Sequence, residues 1–115
     1  MAEGITRPTA AGPGMDKPIY TLSVAAEILA THPRTLMMYE TVGLITPHRT
    51  ATNRRRYMQR DVNKLQVVQN LTRHHGVNLA GVRHLLTLFT LLRKHKVELP
   101  DELRSIDVSL LEPTG

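Results

Sequence analysis

The sequence predicts a mostly α fold: a winged helix-turn-helix with additional C-terminal helices. Three observations carry that reading. Two short helix signals, at about 23–29 and 33–41, are separated by a turn of three residues, which is the outline of a helix-turn-helix. A segment of β-favouring ends and turn-forming middle, LITPHRTATNRRRY at 44–57, follows them. Beyond it, apolar residues recur at helical spacing from Val62 to Leu92.

Residues 1–17, MAEGITRPTAAGPGMDK, are rich in Gly, Pro, Ala and Thr and lack periodicity. They predict a disordered tail covering 1–18, with order beginning near Ile19. The first helix is expected over Ser23–Leu29, capped by Thr21 or Ser23. Its apolar stripe is Val24, Ala25, Ile28 and Leu29. Ala30, Thr31 and His32 make the turn. Pro33 opens the second helix, where its missing N–H has no intrahelical partner in any case. That helix runs to Thr41 and is stopped at Gly43 by a left-handed residue.

The stretch from Leu44 to Tyr57 predicts a β-hairpin wing whose loop is too long for a two-residue turn. A third helix is expected over Gln59–His74, from Val62, Leu65, Val68 and Leu71, ending at Gly76. Asn78 caps a fourth, from Leu79 to about Lys96, with a break expected near Thr87. The helix-turn-helix, wing and third helix then form one unit, 19–78, and 79–97 a second segment. Leu85, Leu88, Phe89, Leu91 and Leu92, with Leu86, spread over roughly 220° of that last helix, at about 100° per residue. One buried face needs little more than about 100°. The surplus predicts a partner subunit, so Leu85, Leu88, Phe89, Leu91 and Leu92 are the candidate dimer contacts. Pro100 and the acidic run 98–115 are expected to end the ordered part. Leu103, Ile106, Val108, Leu110 and Leu111 are available for docking, without a clean period.

Charge is concentrated rather than spread. The chain of 115 residues carries a net +5. Residues 32–60 hold six arginines against Glu40 alone, and 61–96 hold six cations against Asp61 alone. The last 19 residues set five acids against Arg104. A basic middle of this kind favours a polyanion such as nucleic acid. There is no cysteine, which excludes disulfides, zinc–thiolate sites and thiol chemistry. No apolar run approaches the about 18 residues of a membrane span, and nothing resembles a signal peptide, so a soluble, cytoplasmic protein without membrane contact is expected. Neighbouring histidines at 74 and 75 point about 100° apart on a helix and cannot share a metal. Paired carboxylates, H-E-x-x-H, a Gly-rich phosphate loop and a Ser/His/Asp set are all missing. Catalysis, a metal and a cofactor are therefore not expected.

Within the basic region, Arg34, Thr35, Met38 and Tyr39 occupy the first two turns of the second helix. A recognition helix sets its N-terminal residues against base edges in the major groove. Arg34 suits guanine, and Thr35 suits a base edge or a phosphate. The methyls of Thr35 or Met38 suit thymine, and the Tyr39 hydroxyl suits a phosphate. His32 and His48 are placed to face DNA. Arg49 extends the basic surface of the wing loop. Arg54, Arg55 and Arg56 alternate sides on an extended segment, with Arg54 and Arg56 expected one way and Arg55 the other. Glu40 stands isolated.

SVAAEI at 23–28, HPRTL…YE…GLI at 32–45, RRY at 55–57 and NLAGVRHLL at 78–86 together resemble the DNA-binding domain of the MerR family, on its HspR branch of heat-shock repressors. The resemblance covers about Ile19–Leu86. It implies a homodimer joined through a C-terminal helix and bound to an inverted repeat in double-stranded promoter DNA. It also implies repression of chaperone genes, with the chaperone DnaK as a co-repressor. Thr35, Tyr39, Arg55, Arg56 and Tyr57 match positions that contact DNA or shape the wing. Two positions depart from the family pattern: Met37 replaces a usual arginine and Thr41 a frequent basic residue. Either Arg34 or the additional Arg54 compensates, or this copy binds weakly and depends on a partner. Two other readings use the same residues: a degenerate MerR-like interaction module acting with another regulator or a chaperone, and an excisionase-like architectural DNA-binding protein.

Overall fold

A computed structural model describes residues 13–106 and 108–111. The elements run β1 (Tyr20–Thr21), α1 (Leu22–Ile28), α2 (Pro33–Thr41), β2 (His48–Arg49), β3 (Arg55–Tyr57), α3 (Gln59–His74) and α4 (Leu79–Lys94), with short 3-10 turns at Pro13–Asp16 and Asp101–Leu103.

Local chemistry explains most boundaries. The Thr21 hydroxyl accepts the Val24 N–H at 3.1 Å and starts α1. The helix ends when Ala30 turns left-handed (φ 52°) and Thr31 N–H reaches back to the Ala26 carbonyl at 2.9 Å. His32 then caps α2, its Nδ1 accepting the Arg34 N–H at 3.0 Å, and Pro33 fills the first position. Gly43, with φ 84°, closes α2 as Leu44 N–H returns to the Tyr39 carbonyl at 2.9 Å. Asp61 Oδ2 accepts the Met58 N–H at 2.9 Å and fixes the start of α3. Burial holds the Asp61 carboxyl above its ordinary range.

A three-stranded antiparallel sheet, in the order β1-β3-β2, forms the wing and its base. Tyr20 pairs with Tyr57 and Thr21 with Arg56 on one edge; His48 pairs with Arg56 and Arg49 with Arg55 on the other. The sequence revealed β2 and β3 but not β1. The wing loop is tighter than its length suggested. Thr50 N–H donates to the Arg54 carbonyl at 2.9 Å, and Asn53 turns left-handed at φ 65°. A left-handed third residue is how a three-residue hairpin loop closes.

The core lies where α1, α2, α3 and α4 meet beneath the sheet. It contains Ala25, Ala26, Leu36, Leu44, Tyr57, Val62, Leu65, Val68, Leu71, Val82, Leu86 and Phe89. Buried Gln69 donates to the Leu29 carbonyl at 2.8 Å, supplying the partner that the end of α1 lacks.

Three expectations need correction. The chain is already structured ahead of Ile19: Met15 is buried, and Asp16 pairs with Arg60 on α3 at 2.6 Å. Residues 1–12 of the expected tail lie outside the described residues. The break near Thr87 does not occur: α4 runs unbroken from Leu79 to Lys94, and the Thr87 and Thr90 hydroxyls stay within it, donating to carbonyls one turn back at 3.2 and 2.8 Å. The acidic end does not stop being structured at Pro100. Ile106 and Leu111 are buried in the core, while Leu103 stays exposed.

Candidate nucleic-acid interface

The amphipathic pattern of α2 separates two faces. Leu36 and Tyr39 face the core, whereas Arg34, Met37, Met38 and Thr41 are solvent-exposed. At 3.6 residues per turn those four positions form one continuous stripe. Thr35 sits half-buried at its margin, and His32 is exposed at the N-terminus while its ring nitrogen caps the helix.

The wing contributes cations of two kinds. Arg54 is exposed at the strand entrance, and Arg56 is half-buried, donating to the Arg55 carbonyl at 3.0 Å. Arg54, Arg55 and Arg56 line a groove of about 470 Å³ with Thr21, Leu22, Ser23 and Asn53, so the wing stands beside the start of α1. Arg55 and Arg49 are committed elsewhere. Arg55 Nε reaches Glu40 Oε1 at 2.7 Å, and Arg49 Nη2 reaches Glu40 Oε2 at 3.1 Å. One carboxylate on α2 thus holds both strands of the wing. The hydrogen bond from Arg55 holds that carboxyl below its ordinary range. Glu40 is the residue that sequence reasoning missed. Its only signal was being the single acid among residues 32–60, since contacts nine and fifteen residues away leave no periodic mark.

Tyr57 must be withdrawn from the contact residues. It is 0% exposed, at the base of the wing, and its hydroxyl finds no hydrogen-bond partner among the described residues. Burial raises its pKa, as it does for Tyr39. Tyr39 keeps 5% of its surface, so its ring is core and only an edge reaches solvent. In a chain with one phenylalanine, three tyrosines and no tryptophan, large rings are needed for packing.

The dimer candidates also divide. Phe89 is buried in the core of the chain itself, which corrects its assignment to an interface. Leu85 and Leu92 are half-buried against that core. Leu88 and Leu91 stand 50% and 47% exposed on the outer side of α4. Among the described residues, no helix is long and apolar enough to cross a membrane, and no group of three His, Asp or Glu side chains is placed to hold a metal.

The sequence of this region resembles known proteins. The family described as MerR HTH family regulatory protein matches residues 20–88, which spans β1 through most of α4. A putative heat shock protein HspR of Streptomyces coelicolor is 45% identical over 73 residues, covering 64% of this chain and 48% of that protein. The HTH-type transcriptional regulator GlnR of Bacillus anthracis is 30% identical over 71 residues, covering 62% of this chain and 54% of that protein. The chain spans about half the length of these curated relatives. A capped helix pair, a wing tied to the second helix and a family match running through all of them lead to one conclusion: the chain belongs to the MerR helix-turn-helix family of regulatory proteins.

Proposed function

We propose that this chain is a sequence-specific DNA-binding transcription regulator that acts as a homodimer on an inverted repeat and represses heat-shock genes. The observation that carries the reading is the outward stripe of α2, headed by Arg34, together with the exposed Arg54 of a wing that Glu40 ties to the same helix. A helix of this diameter enters a major groove, and guanidinium groups on the wing meet phosphate or the neighbouring groove. Arg34 is the base reader. Arg54 and Arg56 are phosphate contacts, and Arg49 and Arg55 set the wing's angle through Glu40 and add to the local field. Leu88 and Leu91 are the exposed apolar groups on which a second copy packs. Two linked half-sites multiply affinity through effective concentration, so a lone protomer binds poorly at physiological salt. The heat-shock assignment follows the HspR likeness, which also makes the chaperone DnaK the partner to test as co-repressor.

Selection of bound fragments from random duplex DNA tests the reading. An enriched inverted repeat, bound in preference to a scrambled duplex of the same composition, is the expected result. Equal affinity for both duplexes removes sequence-specific regulation.

A further inference from the structure

The outward stripe of α2 has an unusual chemistry. Met37 and Met38 are 38% and 43% exposed. They flank a ridge formed by Arg34 and Thr41, one on each side, at helical spacing. Neither packs against the core cluster. The Thr41 hydroxyl is engaged by the Met37 carbonyl at 3.0 Å. The helix's one acid, Glu40, is held by the wing arginines. Of the four stripe residues, Arg34 alone therefore presents strong, uncommitted hydrogen-bond donors.

A thioether neither donates a hydrogen bond nor accepts one strongly. It cannot distinguish guanine, adenine or cytosine edges by polar contact. What it can favour in a major groove is the apolar group that thymine alone displays, its C5-methyl. Methionine is also flexible and polarizable, which lets it follow a methyl surface closely. The field around the stripe selects a polyanion over an apolar protein partner: residues 32–60 carry six arginines against the neutralised Glu40.

Resting on the DNA-binding reading above, we propose that Met37 and Met38 are specificity-determining residues that read thymine methyl groups. Each half-site then pairs one guanine, under Arg34, with thymines on both sides of the track followed by the α2 ridge. The chain recognises thymine-rich half-sites by apolar contact where a polar helix would read hydrogen bonds.

Deoxyuridine lacks only the C5-methyl, so it isolates the contact. The full chain selects its best duplex from a random pool, and each thymine of that duplex is then replaced singly by deoxyuridine. Loss of about fourfold in affinity is expected at one or two thymines per half-site, the worth of one buried methyl-sized group. Met37→Ala and Met38→Ala should bind the parent duplex more weakly and lose that difference, each at its own thymine. Both sites are exposed and alanine favours helix, so circular dichroism melting should show the variants folded. A duplex bound selectively, yet indifferent to deoxyuridine at every position, would overturn the methyl reading while leaving DNA recognition standing. It would return the methionine face to a protein partner. Failure to select any sequence would overturn both.

Discussion

Replacing Glu40 by glutamine should cut the tie between the recognition helix and the wing. The carboxylate receives Arg55 at 2.7 Å and Arg49 at 3.1 Å. Hydrogen bonds to charged groups contribute about 1.5–3 kcal/mol each when shielded, and exposed ion pairs contribute about 0–1 kcal/mol. These side chains keep 22–37% of their surface, so solvent screens them substantially and the whole clamp is worth about 1–2 kcal/mol. For a domain of this size, each kcal/mol moves Tm by about 4–8 °C. Thermal melting by circular dichroism at pH 7 and low salt should therefore place Glu40→Gln about 5–10 °C below wild type. The sign with pH follows from the carboxyl being held below its ordinary range. Its contribution is complete above the unfolded value, about 4.3, and is lost as pH falls through the lower folded value. The gap between wild type and Glu40→Gln should hold at pH 6–7 and close as pH falls through and below about 4. A double-mutant cycle with Arg55→Gln should show coupling of about 1 kcal/mol. Equal melting at pH 7, a gap insensitive to acid, or strictly additive substitutions would refute the clamp.

Substitutions at three other places have definite outcomes. Tyr57→Phe removes a buried hydroxyl without a partner among the described residues, so chemical denaturation should show unchanged or higher stability, by up to about 1 kcal/mol; a loss of more than that would show the hydroxyl to be satisfied. Asp61→Asn keeps an acceptor for the Met58 N–H and removes a charge that burial disfavours, so it should melt at or above wild type at pH 7, whereas Asp61→Ala should lose about 1 kcal/mol with the cap. The raised Asp61 pKa also means that this site favours folding as pH falls, opposite in sign to Glu40. Leu88→Asp with Leu91→Asp places charges on two exposed positions, so sedimentation should show folded monomers; an unchanged dimer would move the interface off α4.

What could be read in advance was what is local. Pro33, Gly43 and the spacing of Val62, Leu65, Val68 and Leu71 mark α2 and α3 at the limits observed, and Asn78 marks the start of α4, because caps and periodicity act within a few residues. Strand β1 was invisible because two residues leave no alternation, and its partner Tyr57 lies 37 residues away. That Ile106 and Leu111, of the five apolar residues available there, dock on the core was not legible, because irregular backbone imposes no period on its apolar groups. The same limit hid the clamp: all its members are charged, and sequence alone suggests solvent for each. The family resemblance points Tyr57 to DNA and the apolar spread of α4 points Phe89 to a partner, whereas the volume of both rings commits them to the core.

In the proposed function α2 and the wing grip one duplex together, and the salt dependence of binding tests that most directly. Titrating the selected repeat by fluorescence anisotropy at several salt concentrations should give a steep log–log slope that Arg54→Ala flattens by about one unit per protomer contact, as a lost phosphate contact requires. Arg34→Ala should instead narrow the preference at one base pair by about 1–3 kcal/mol. If both substitutions leave slope and preference unchanged, the helix and wing do not touch DNA and the account fails.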